Sequence, residues 1–170
     1  MLLVYTGEGK GKTSACLGQC VRALGHGLRV CFVQFLKQDA VAGEQRFLSS
    51  HPGIRWYAGG KGFYFHNKRE GEHRAAALDT LAFARHALQE DTPCNLLVLD
   101  ESLYALHAGL LAREEVQEVI DAARQRGVHL VLSGRDAPQW LVDQADTVTA
   151  MHMVKHPHER GEAAVMGIDF

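Results

Sequence analysis

The stretch that decides the fold is "VYTGEGKGKTSACLG", residues 4–18. It continues the apolar run 1–5 and, from Gly7 to Thr13, alternates glycine with charged or polar side chains before closing on Lys12-Thr13. A strand, a glycine-rich turn and a Lys-Thr pair opening a helix make a cradle for a polyphosphate. Glycines let backbone N–H groups converge on phosphate oxygens, and the helix amino end carries partial positive charge. Lys12 adds a full charge and Thr13 offers a hydroxyl to Mg²⁺. The residues expected around the phosphates are therefore Gly7, Glu8, Gly9, Lys10, Gly11, Lys12, Thr13 and Ser14. The strict motif has a glycine where Thr6 stands, and Gly7 comes one step later, so this is a relaxed P-loop. Glu8 is out of keeping with it. A carboxylate close to a triphosphate is repelled unless it turns outward or receives a hydroxyl or a metal-bound water.

Outward from the loop, short apolar runs recur at 1–5, 28–35, 54–58, 95–99, 129–133 and 147–153. They lack polar alternation, which suits strands buried on both faces of a parallel sheet. Helical periodicity fills the gaps: Val116, Val119, Ile120 and Ala123 follow one face, and Leu78, Leu81 and Leu88 mark another. This is an α/β pattern, in which ligands bind beyond the carboxyl ends of the strands. One stretch fits neither element. "GGKGFYFHNKR", 59–69, packs three glycines and three aromatics together and reads either as a working loop or as a turn folded onto the core. The tail 156–170 has weak periodicity and is expected to run over the surface.

Composition bounds the function. A chain of 170 residues, 46% hydrophobic and 22% charged, is expected to form one domain, 1–170. The formal charge is −2 and the 18 basic residues are scattered, which argues against nucleic acid as a partner. No apolar stretch approaches the roughly 20 residues of a membrane span, and Met1 runs straight into a strand with no basic leader, so the expected compartment is the cytoplasm. Cys16, Cys20, Cys31 and Cys94 lack the spacing of a zinc ribbon or redox pair. They are expected as reduced, buried thiols, with Cys16, Cys20 and Leu24 on one helical stripe. His152, His156 and His158 read as part of a solvated tail rather than a metal cluster.

Two further strand ends carry polar groups suited to a nucleotide. "NLLVLDES", 95–102, ends its apolar run on Asp100-Glu101, where P-loop proteins hold the metal. "LVLSGRDAP", 130–138, places Arg135 after another strand end, in position to stabilise phosphate charge. The expectation is an Mg²⁺ (or Mn²⁺) nucleoside triphosphate held by Thr13, Asp100 and Glu101. Which bond breaks stays open at this level. Water activated by Glu101 would make an ATPase, an acceptor in the aromatic loop a kinase, and a nucleophile aimed at the ribose C5′ would expel the whole triphosphate. A nucleotide-binding regulator without turnover is a further alternative.

Taken together, "TGEGKGKTSACLG", "VCFVQFLK", "LLVLDESLYAL", "LSGRDAPQWLVDQADTVTAM" and "VKHPHERGEAAVMGIDF" resemble the ATP:corrinoid adenosyltransferases, and the likeness runs from Val4 to Phe170. The resemblance implies a P-loop NTPase-like, RecA-type α/β domain with a mostly parallel sheet flanked by helices. It implies transfer of the 5′-deoxyadenosyl group of ATP to the Co(I) of a corrinoid, with release of triphosphate. In such proteins the nucleotide lies reversed across the loop. Catalytic roles then fall to Lys12, Glu101 and Arg135, with Glu101 a metal or ribose partner. Phe63 and Phe65 fall where the family places a Phe and a Trp against the corrinoid face, Phe65 replacing the Trp. A reduced flavoprotein or flavin as electron donor and a homodimer belong to the same expectation. Two other departures stand out: Glu8 replaces a frequent Asn, and His152-Met153 replaces an Arg-Pro pair. The amphipathic segment that often precedes the first strand in the family is not part of this sequence, so a cap on the site is expected either to come from elsewhere or to be missing. Gln34 and Lys37, ending the second apolar run, are weaker candidates for facing substrate.

Overall fold

The computed structural model describes residues 1–37, 42–62 and 70–169, the side chain of His158 excepted. All six expected strands form: β1 (Leu2–Thr6), β2 (Val30–Gln34), β3 (Ile54–Ala58), β4 (Leu96–Asp100), β5 (His129–Ser133) and β6 (Thr147–Ala150). They make one sheet in the order β3-β2-β4-β5-β1-β6, and every pairing is parallel. The helices are α1 (Lys12–Gly25), α2 (Gly43–Leu48), α3 (Glu70–Gln89), α4 (Ser102–His107), α5 (Arg113–Gln125) and α6 (Gln139–Val142).

The sheet divides the core in two because successive strand residues point to opposite faces. On one face Val33, Leu97, Leu99, Leu130 and Leu132 pack with Leu81, Leu88, Val119, Ile120 and Leu141 from α3, α5 and α6. On the other, Phe32, Val98 and Val131 meet Cys16, Cys20 and Ala23 of α1, with Leu24 against them. The expected thiol stripe is therefore core, and burial pushes the Cys20 thiol up to about 12. The α5 stripe is also as expected, Val116, Val119, Ile120 and Ala123 all being buried. In α3 the reading differs at one position. Leu78 is exposed, and the buried row runs Ala77, Leu81, Ala84, Leu88, small residues alternating with leucines so that the helix lies close to the sheet.

Leu28 also departs from its strand assignment. Its N–H donates to the Ala23 carbonyl (3.0 Å) while Gly27, at φ +70°, donates to Leu24 (2.9 Å), which closes α1 before β2 begins. This is the double bond of a glycine-terminated helix. Gly127 and Val128 close α5 in the same way.

Function follows from the strand order. β5 lies between β1, which feeds the phosphate loop, and β4, which ends in the acids. In register, Gln34 of β2 faces Asp100 of β4, and Leu99 faces Leu132 of β5, so Ser133 comes up on the other flank of Asp100. Asp100, Gln34 and Ser133 share pleat parity with Val98, Phe32 and Val131, and so point toward α1.

Candidate active site

The glycines of the loop answer first to packing. Gly7 and Gly11 hold φ of +100° and +116°, backbone that side chains rarely adopt. A Cβ on Gly7 would stand 2.5 Å from the Met151 carbonyl oxygen, and one on Gly9 2.8 Å from the same atom. The chain leaving β6 thus presses on the loop, and it is bonded there: Gly9 N–H donates to Met151 O (2.8 Å), and Met151 N–H to Thr6 O (2.8 Å). The Gly9 amide is therefore committed to the loop's own anchorage, a different role from the phosphate contact expected of it. Gly9→Ala is expected to destabilise the fold by roughly 2–3 kcal/mol, the cost of forcing backbone apart at a tight approach. Chemical denaturation tests this, and a parental midpoint would show that the approach is not binding.

Lys12, at the first position of α1, is 7% exposed. Its Nζ donates to Gly7 O (2.7 Å) and Gly9 O (2.8 Å), folding the cation over the loop. Burial lowers its pKa, while Glu101, Glu8 and Asp100 pull the other way. Thr13, one residue on, aims Oγ1 at both carboxylate oxygens of Asp100 (3.2 and 3.1 Å). Asp100 is fully buried and takes two more donors, Ser133 Oγ on Oδ1 (2.7 Å) and Gln34 Nε2 on Oδ2 (3.0 Å). The hydroxyl and the acid that sequence alone pairs across 87 residues are thus in contact.

Glu101 starts α4 in a left-handed conformation, φ +62°, uncommon for a residue with a side chain. Its N–H donates to Ser133 Oγ (3.0 Å), so one serine orients both acids. Burial, then the neighbouring Asp100, raises the Glu101 pKa, and Lys12, Lys37 and Arg135 offset this only in part. A raised pKa means that the folded chain binds this proton more tightly than the unfolded one. The associated stability is full below the ordinary carboxylate range and is lost as pH rises through the folded value. Glu101→Gln is therefore expected to melt higher than the parent at pH 7, with the gap closing below about pH 4. Melting curves across that range decide it, and a gap independent of pH would refute the assignment.

Arg135 and Glu8 explain each other. Arg135 Nη1 bonds Glu8 Oε2 at 2.6 Å, both side chains about half exposed. The carboxylate that looked misplaced in a phosphate loop is turned toward a guanidinium across the mouth of the site.

Lys10, Lys12, Thr13, Lys37, Glu44 and Glu101 line a cleft of about 530 Å³ at the carboxyl edge of the sheet. The tail forms part of its wall through Gly167, Ile168 and Asp169. Lys10 pairs with Asp169 and also donates to Ile168 O (3.3 Å). The tail runs over the surface as expected, but it does so beside the nucleotide loop. Lys37 reaches Glu44 (3.0 Å) at the cleft, whereas Gln34 is fully buried beneath Asp100. Phe63 and Phe65 lie outside the described residues. Among the described residues no group of three His, Cys, Asp or Glu side chains is placed to hold a metal ion. Sequence reasoning missed Ser133, Met151 and Gln45. Only Ser133 carried a signal, as the polar end of an apolar strand next to the Gly-Arg turn.

Comparison with known proteins gives the family of the chain. The sequence profile of the family described as ATP:corrinoid adenosyltransferase BtuR/CobO/CobP matches residues 1–170. The chain is 38% identical to a corrinoid adenosyltransferase of Pseudomonas aeruginosa over 171 aligned residues, covering 100% of this chain and 83% of that protein. It is 34% identical to the corrinoid adenosyltransferase CobA of Salmonella typhimurium, covering 100% of this chain and 85% of that one. Among solved structures it resembles the genome packaging NTPase B204 from Sulfolobus turreted icosahedral virus 2, with a TM-score of 0.53 at 12% identity over 94% of this chain and 78% of that one. That last likeness is one of fold alone. On the match of the profile and of full-length relatives, the chain belongs to the ATP:corrinoid adenosyltransferase family.

Proposed function

We propose that this protein transfers the 5′-deoxyadenosyl group of ATP to the Co(I) of a corrinoid such as cobyrinic acid diamide, cobinamide or cobalamin. The carrying observation is that a chain of this family, matched from end to end, brings Lys12, Thr13 and Glu101 to one cleft, with Asp100 buried directly behind Thr13. The Co(I) lone pair attacks C5′, the C5′–O bond breaks, and triphosphate leaves with its electrons. Co(I) is itself a strong nucleophile, so the protein need not generate one with a base. Its task is to hold C5′ in line and to stabilise charge on the leaving group.

Each residue has a part in that task. Lys12 and the first-turn amides of α1 bind phosphate oxygens, and Arg135, released from Glu8, adds charge at the mouth. Thr13 and Asp100 offer oxygen donors, which suits Mg²⁺ shared with substrate phosphates better than a metal caged by protein alone. The ion, when bound, supplies positive charge to the triphosphate. Glu101 faces the same cleft as a metal or ribose partner. Phe63 and Phe65 are assigned to the corrinoid face. The reading extends to a single working domain over residues 1–170, a homodimer, a reduced flavoprotein or flavin as donor, and a cytoplasmic setting. No helix among the described residues is long and apolar enough to cross a membrane.

The test is anaerobic incubation with Mg·ATP and chemically reduced Co(I) cobalamin or cobinamide. A light-sensitive cobalt–carbon product with one triphosphate per turnover is expected. ADP and phosphate formed without corrinoid would put γ-phosphate cleavage, by an ATPase or small kinase, in its place.

A further inference from the structure

Beneath the metal-side acid lies a hydrogen-bond chain that the proposed reaction does not use directly. Asp100 Oδ2 accepts from Gln34 Nε2 (3.0 Å), Gln34 Oε1 accepts from Gln45 Nε2 (2.8 Å), and Gln45 Oε1 accepts from the Ala42 N–H (3.1 Å). Gln34 is 0% exposed and Gln45 3%. Primary amides have two possible orientations, but here the ends dictate both. The carboxylate at one end accepts and the backbone N–H at the other only donates, so each glutamine must present its NH₂ toward Asp100 and its oxygen toward Ala42. Turning either amide sets donor against donor or acceptor against acceptor in a buried place. Ala42 precedes the first residue of α2, and Gly43 and Glu44 of that helix line the cleft. The Lys37–Glu44 ion pair makes a second tie between the exit of β2 and the same helix.

We infer that Gln34 and Gln45 form a one-way relay that positions Asp100 for Mg·ATP and couples it to the start of α2. The inference rests on the phosphate and metal site of the proposed function. Gln45 touches neither nucleotide nor metal on this reading and is a positioning residue. It fixes Gln34, which fixes the rotamer of Asp100. Coupling is reciprocal: whatever ties α2 to the acid also ties the acid to α2.

The test measures ATP binding by calorimetry with Mg²⁺ and again in EDTA, for the parent and for Gln45→Leu. Gln45→Met, unbranched and of similar length, stands in should the leucine variant fail to fold. The parent is expected to bind ATP more tightly with Mg²⁺. In the variant that gain should shrink about 10-fold, the usual effect of removing a residue that orients a metal ligand. Affinity in EDTA should stay within about twofold, which a general loss of structure would not allow. Hydrogen exchange of the α2 amides should slow on Mg·ATP binding in the parent and not in the variant. An unchanged Mg²⁺ gain in the variant, with a normal gain in the parent, overturns the relay and leaves the site standing. A parent with no Mg²⁺ gain removes the site and the relay together.

Discussion

Lys12→Ala is expected to lower kcat/KM for adenosyl transfer by about 10³-fold or more, roughly 4 kcal/mol of lost transition-state stabilisation. The ammonium is positioned before substrate arrives, its Nζ held 2.7 and 2.8 Å from the Gly7 and Gly9 carbonyls. It therefore loses little orientational freedom when a phosphate takes its place among those partners. Its burial, which lowers the pKa, is the same condition that makes its charge effective, because little water screens it. Lys12→Arg is expected to rescue poorly. A planar fork does not fit where a single nitrogen bridges two loop carbonyls, although the charge is kept. Melting temperature should change far less than rate, since the alanine variant trades a desolvated cation for two unpaired carbonyls. Initial rates with Co(I) corrinoid under anaerobic conditions decide the matter, and retention of more than a tenth of parental kcat/KM in Lys12→Ala would contradict it.

The fold was legible because its central strands β2, β4 and β5 are buried on both faces and therefore read as unbroken apolar runs, whereas the edge strand β6 is exposed along its length. The phosphate loop was legible because a strand, glycines and Lys-Thr occur in one contiguous order. Thr13 and Asp100 were legible as partners only through the logic of metal sites, and the sheet order then brings them into contact. What sequence could not yield is contact between distant segments. Nothing local marks Met151 as the residue whose backbone demands Gly7 and Gly9, or Glu8 as the partner of Arg135. The Gly9 amide looked free for phosphate because its acceptor lies 142 positions away. Gln34 read as a residue at the end of a strand and so as a candidate for substrate. Register shows why it is not: it faces Asp100 directly across β2 and β4 and is spent on holding it. Leu78 failed for a plainer reason, since leucine spacing on a helix leaves the stripe ambiguous until the alanines that allow close packing are counted.

Asp100→Asn is expected to separate stability from chemistry. Asparagine has the shape of aspartate, and the donors around it leave one workable orientation. Its oxygen must face Gln34, because turning the Gln34 amide would drive the mismatch down the relay to the Ala42 N–H, which cannot accept. Its NH₂ then faces Ser133, whose hydroxyl rotates to accept while still receiving the Glu101 N–H. Every buried polar atom keeps a partner, so the melting temperature should fall by only a few degrees, corresponding to about 1 kcal/mol. The carboxylate charge, in contrast, is gone, and with it the anionic group beside Thr13 that, on the proposed reading, would draw a divalent cation to the phosphates. Adenosyl transfer should drop roughly 10²- to 10³-fold, and raising Mg²⁺ should recover little of it. Combined with Lys12→Ala, the loss should be smaller than the product of the two, since the proposed function has both groups serve the same departing triphosphate. A stable Asp100→Asn protein with near-parental rates at ordinary Mg²⁺ would show that the buried acid is structural, and the metal would then have to be sought at Glu101.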